Sequence, residues 1–153
     1  MQVFRLIREQ YVSDPLSGRG AANFGARWNS IGVELVYTAA NRSLAMAEVA
    51  VHLPIVMLPD DYLMVVVELP ADISIKTLEV GELPQRWSDF PYLAASQRIG
   101  DKFAADAEYC ILQVPSVVTS GDFNYLINPH HPDFTSIRIL SFEAFKFDKR
   151  LVK

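Results

Sequence analysis

The run Tyr62-Leu-Met-Val-Val-Val-Glu-Leu69 constrains this chain more than any other segment. It is strongly apolar, carries one charge, and is closed in by Pro59 and Pro70. A short apolar run rich in β-branched residues and bounded by prolines predicts a strand inside a core. It falls far below the roughly 20 apolar residues that a membrane-spanning helix needs.

Other segments supply the elements around it. Gln2 to Arg8 predicts a strand, with Val3 and Ile7 on one face and Phe4 and Leu6 on the other. Ser13 to Asn23, rich in Gly, Ser and Pro, predicts a loop, and Val33 to Thr38 a strand. Asn41 to Leu53 predicts a helix that Asn41 or Ser43 caps and Pro54 terminates. Ala94 to Ala107 predicts a second helix, weakened at Gly100, followed by a buried strand over Tyr109 to Val114. Gly121 to Pro132 reads as turns around a short apolar run, and Ile137 to Phe147 as a final strand. These elements keep no steady βαβ rhythm, so the expected class is α+β in a single domain over residues 1–153. At 153 residues, half of them hydrophobic, the chain is long enough to bury a sizeable core.

Charge and cysteine content narrow the function. With 14 Lys+Arg against 18 Asp+Glu, the formal net charge is -4, which argues against binding a nucleic-acid backbone. A small anionic ligand needs only a few placed arginines and stays open. Cys110 is the only cysteine, so no intrachain disulfide and no cysteine-based zinc site is expected. The opening residues mix Arg5, Arg8 and Glu9 into apolar sequence, unlike a signal peptide, and the cytoplasm is the expected compartment.

Several residues stand where packing alone does not ask for them. Glu48 is the one charge between Ser43 and Leu53, on a helix that is apolar nearly all round. It is either a carboxylate held at an apolar surface for chemistry or the wet edge of the helix. Arg5 shares a strand face with Val3 and Ile7. If that face is buried it needs an anionic partner; if the strand is an edge it snorkels to water. The stretch Ser17 to Asn29 holds three glycines with Arg19 and Arg27, which suits a backbone approaching phosphates and equally suits a surface loop. It lacks the G-x-G-x-x-G dinucleotide fingerprint. Tyr37 reads as a core tyrosine or a stacking surface. Ser116 follows Pro115 at a strand end, without the G-x-S-x-G elbow of a hydrolase. His130, His131 and Asn128 lack metal-ligand spacing, and Cys110 reads as inert, so no metal is expected.

Together these positions resemble the RES domain family. The resemblance rests on the loop Ser17 to Ala21, on Arg27-Trp28-Asn29, and on Val36-Tyr37-Thr38. It continues with Ser43-Leu44-Ala45 leading to Glu48, Val114-Pro115-Ser116, and Asn128-Pro129-His130-His131-Pro132. It runs from Gln2 to about Phe147. One departure is Gly25-Ala26 before Arg27, where Gly-Gly is common in the family.

The resemblance implies a fold similar to ADP-ribosyltransferase toxins, with mixed sheets and a few helices. It implies NAD as substrate, cleaved at the nicotinamide–ribose bond, and a neighbouring Xre-type antitoxin as protein partner; the acidic toxin leaves any DNA contact to that partner. The domain's name matches Arg27, Glu48 and Ser116. In this chemistry nicotinamide leaves with the bonding electrons, and the ribose passes through an oxocarbenium-like state. Glu48 would stabilise that charge or hold ribose hydroxyls. Arg27, Arg5 and Arg19 would hold the pyrophosphate, Tyr37 would stack on nicotinamide, and Ser116 and Asn128 would position polar groups. Water as acceptor makes a glycohydrolase and phosphate a phosphorylase. A protein acceptor, such as phosphoribosyl pyrophosphate synthetase, makes an ADP-ribosyltransferase.

Overall fold

In the computed structural model, which describes residues 1–54 and 59–151, the apolar run becomes β3 (Tyr62–Glu68). It lies between β1 (Gln2–Arg8) and β7 (Arg138–Phe145), antiparallel to both. Val65 and Val67 enter one buried cluster with Val3 and Ile7, while Tyr62, Met64 and Val66 enter another with Phe4 and Leu6. Both faces of β3 are covered, which is why its sequence is apolar without alternation.

Among the described residues one seven-stranded sheet forms, in the order β4-β5-β6-β2-β1-β3-β7. Its other members are β2 (Val36–Ala39), β4 (Ile75–Thr77), β5 (Ile111–Pro115) and β6 (Phe123–Ile127). Only β4 and β5 pair in parallel. The helices are α1 (Arg19–Phe24), α2 (Arg42–Ala50) and α3 (Ala94–Asp106). This is a mixed α+β fold.

A single pair, Phe4 with Ala39, joins β1 to β2. The two wings of the sheet fold toward each other about this junction. Val3, Ile7, Val65 and Val67 of one wing share a core with Val36, Ile111, Tyr125 and Ile127 of the other. The opposite face carries the helices. Leu44 and Ala45 of α2 pack on Phe4, Leu6, Ala39, Met64 and Val66. Phe103 of α3 packs with Trp28, Leu35, Leu112, Val114 and Leu126.

Three expectations need correction. The predicted loop Ser13 to Asn23 contains the start of α1, a six-residue helix closed at Gly25, whose φ of 70° suits glycine. The turn-rich segment Gly121 to Pro132 contains β6, an interior strand whose core face is a short apolar run. The strand expected over Val33 to Thr38 begins only at Val36, because the Val33 carbonyl is taken by the Asn29 side chain. The short parallel strand β4 had no sequence signal of its own.

Gly100, a weak point by propensity, is required by packing. A Cβ built there would lie 1.6 Å from the Trp28 carbonyl oxygen. Helix α3 therefore presses its backbone against the loop that carries Arg27, Trp28 and Asn29.

Candidate active site

Helix α2 is placed by its cap. The Asn41 side-chain oxygen accepts from the Leu44 amide at 2.8 Å, while its Nδ2 donates to the Asp122 carboxylate at 3.2 and 3.3 Å. Asn41, Leu44 and Glu48 share one stripe of the helix. The bond that ties Asn41 to the β5–β6 hairpin therefore lays Glu48 over the same hairpin. There Glu48 Oε1 accepts from Ser116 Oγ at 3.0 Å and from Asn124 Nδ2 at 2.6 Å. Ser116 Oγ also accepts from the amides of Val118 and Thr119, both at 3.1 Å, so its proton is left to point at the carboxylate. Among the described residues, Glu48 Oε2 accepts no protein hydrogen bond.

The loop carrying Arg27 faces this carboxylate. Arg27 Nη1 donates to the carbonyls of Trp87 at 2.6 Å and Asp89 at 2.9 Å, and the guanidinium carbon lies 5.1 Å from the centre of the Tyr92 ring. Partial burial lowers the Arg27 pKa, and the charges of Tyr92, Glu48, Tyr37 and Asp89 act against that shift. The group stays charged, as guanidinium does in proteins. Its Nε and Nη2 atoms make no hydrogen bond among the described residues, which leaves one edge of the fork for an anion.

Tyr37 extends from β2 beneath this loop. Its hydroxyl donates to Asn29 Oδ1 at 2.7 Å and accepts from the Trp28 amide at 3.2 Å. Burial pushes that hydroxyl well above the ordinary phenol range. It is a strut for the loop and no proton acceptor at neutral pH. Asn29 completes the brace, donating to the carbonyls of Ala21, Ser30 and Val33. From α3, Gln97 donates to the carbonyls of Ala26 at 3.0 Å and Asn29 at 3.3 Å. Asp101 accepts from the Ser30 amide at 2.8 Å and hydroxyl at 2.6 Å.

The structure thus brings together Arg27, Tyr37, Glu48 and Ser116. It does not bring in the other three residues read from the sequence. Arg5 alternates with Phe4, so it leaves the sheet on the face of Val3 and Ile7. Tyr37 and Asn124 leave on the face of Ala39, the partner of Phe4. Arg5 Nη2 donates to the Ser17 carbonyl at 3.1 Å, its Nη1 is buried without a partner among the described residues, and burial lowers its pKa to about 10. Arg19 is exposed and paired with Asp14 at 2.7 Å. Asn128 is fully buried beyond the far end of β6 and builds the following turn, donating to Ala104 O at 3.1 Å and accepting from the His130 amide at 3.0 Å.

Among the described residues, no group of three or more His, Cys, Asp or Glu side chains is placed to hold a metal. Cys110 is buried and its thiol is pushed up to about 12. A shallow hollow of about 290 Å³ at the Glu68 end of β3, lined by Glu68, Pro70, Thr135, Ser136 and Arg138, shares no residue with the site. Sequence reasoning missed Asn124, Gln97, Asp101 and Tyr92. Only Asn124 left a trace: it is the one polar residue within the apolar run Phe123 to Ile127.

A family model described as the RES domain matches residues 2–148. A Sphingobium protein named "Prs ADP-ribosylating toxin" is 37% identical over 145 residues, covering 94% of this chain and 90% of that protein. A Photorhabdus laumondii protein named "Toxin Res" is 33% identical over 154 residues, covering 100% and 98%. A chain of the solved M. tuberculosis MbcT-MbcA toxin-antitoxin complex superposes with a TM-score of 0.77 at 16% identity, covering 95% of this chain and 84% of that one.

Proposed function

The chain belongs to the RES domain family, and from that premise we propose that it is a toxin that cleaves NAD at the nicotinamide–ribose bond. The observation that carries this reading is the half-buried carboxylate of Glu48, held through one oxygen and close enough to Arg27 for its charge to act on the guanidinium.

The reaction breaks the C–N bond at the ribose, and both electrons go to the nicotinamide ring nitrogen. That ring already carries the positive charge, so it leaves neutral and needs no proton. Charge develops instead on the ribose, where a fixed carboxylate in a partly desolvated setting is most effective. Glu48 serves this role through electrostatics and through hydrogen bonds accepted from ribose hydroxyls. The free edge of Arg27 binds the pyrophosphate. Tyr37, with its hydroxyl committed to Asn29 and Trp28, contributes its ring. The acceptor then bonds to the ribose carbon and releases its own proton.

A second reading is favoured by one observation, the 37% identical relative named for ADP-ribosylating Prs. In that reading the acceptor is a protein side chain in place of water or phosphate. The test is to incubate the purified chain with NAD alone, with inorganic phosphate, or with phosphoribosyl pyrophosphate synthetase. Free ADP-ribose, its phosphorylated form, or modified protein identifies the acceptor. Intact NAD in all three arms overturns the reading.

An enzyme that consumes NAD needs an inhibitor in its own cell. We assign that role to an Xre-type antitoxin that covers the surface between Arg27 and Glu48. The relatives' toxin names and the toxin–antitoxin complex of the structural neighbour support this assignment. No helix of the described residues is long and apolar enough to cross a membrane.

A further inference from the structure

Resting on the reading of Glu48 as the carboxylate beside the ribose, we propose that Asn124 is a positioning residue. With Ser116 it holds Oε1 of Glu48, so that Oε2 alone is offered to substrate.

A glutamate side chain on a helix has three rotatable bonds, and an unheld carboxylate samples many directions. Here two donors converge on the same oxygen, at 2.6 Å from Asn124 and 3.0 Å from Ser116. Both donors are themselves fixed. Asn124 is the second residue of β6, paired with Ala39 of β2 on one side and Val114 of β5 on the other, so its Cβ is set by two ladders. Ser116 is directed by the two amides that occupy its lone pairs. An ionised carboxylate only accepts, so the amide must turn its nitrogen toward Glu48. The geometry therefore divides the carboxylate, with one oxygen held by Ser116 and Asn124 and the other without a protein donor among the described residues.

The division explains why an amide, and not a carboxylate of the same size, stands at position 124. Aspartate there would set two negative groups at hydrogen-bond distance and turn Glu48 away. Positioning acts on the transition state more than on ground-state binding, so its loss shows in kcat.

The test compares wild type with Asn124→Asp and Asn124→Leu, measuring nicotinamide release from NAD and thermal unfolding. Losing a hydrogen bond to a charged group lowers kcat by roughly tenfold to hundredfold, while KM stays within about twofold of wild type. Asn124→Asp loses at least as much as Asn124→Leu. Wild-type kcat in either folded variant, or a rise in KM with kcat unchanged, overturns the proposal. If Asn124→Leu fails to fold, the isosteric Asn124→Asp decides. If neither folds, Asn124 is a structural residue and the proposal is overturned. Failure of wild type to release nicotinamide removes the NAD reading and this inference together. An active wild type with unaffected variants removes this inference alone.

Discussion

Replacing Gly100 by alanine separates the fold described here from a reading by helix propensity. In an exposed helix interior, Gly→Ala stabilises by roughly 1 kcal/mol. At Gly100 the added Cβ would sit 1.6 Å from the Trp28 carbonyl oxygen and 2.7 Å from its carbon, against a floor of 3.0 Å for real Cβ contacts. Both neighbours are backbone, so α3 and the loop must part by roughly 1.5 Å in an interior packed near crystal density. Overpacking of this kind costs about 1–3 kcal/mol. Parting also stretches the two bonds that Gln97 donates to Ala26 and Asn29 and the two that Asp101 accepts from Ser30, forfeiting about half of the roughly 1 kcal/mol that each is worth. Set against the propensity gain, the net loss is about 3 kcal/mol. For a chain of this length that lowers Tm by roughly 6–12 °C. The same shift displaces Arg27 relative to Glu48, and a displacement of about 1 Å costs on the order of a hundredfold in rate. Circular-dichroism melting and nicotinamide release on the still-folded variant measure both effects. A Tm equal to or above wild type, with full activity, refutes the packing of α3 on the Arg27 loop.

Arg5→Met should fold with neutral or increased stability, because it removes a buried charge whose Nη1 has no partner among the described residues. Burial lowers the Arg5 pKa to about 10, which leaves the group charged and the penalty in full at neutral pH. Urea unfolding checks the stability, and an increased KM for NAD would return Arg5 to the site. Arg27→Lys should raise the KM for NAD by roughly tenfold to hundredfold, since one ammonium cannot span the Trp87 and Asp89 carbonyls and also hold phosphate. An unchanged KM would remove Arg27 from binding. Expression of the chain alone should arrest growth, and co-expression with an Xre-type protein encoded beside it should restore growth. Unimpeded growth with folded protein abundant would contradict the toxin reading.

The sequence carried the fold where local and tertiary demands agree. Strand β3 is apolar because both its faces are covered, and its prolines mark its limits. Helix α2 opens at a capping Asn41, and its one charge, Glu48, is the residue the site is built around. The chain was less legible where tertiary contacts override local signals. Gly18 and Gly20 read as loop, yet Gly20 lies within α1, whose Ala21 carbonyl is caught by Asn29. Arg5 was placed on the correct strand face beside Val3 and Ile7. Only the pairing of Phe4 with Ala39 shows that the site lies on the other face. Asn124 lies in the segment read as turns around a short apolar run, and its partner Glu48 is 76 positions away. No local pattern reports a contact of that range.

In the proposed function, Glu48 drives cleavage of the nicotinamide–ribose bond. Nicotinamide release from NAD by wild type and by Glu48→Gln, at matched concentrations of folded protein, tests it most directly. The amide keeps the shape and removes the charge that would stabilise the transition state, a loss worth on the order of a hundredfold to a thousandfold. The expected result is release by wild type and a loss of that size in the variant, with its melting temperature near wild type. Equal release by the two proteins would contradict it.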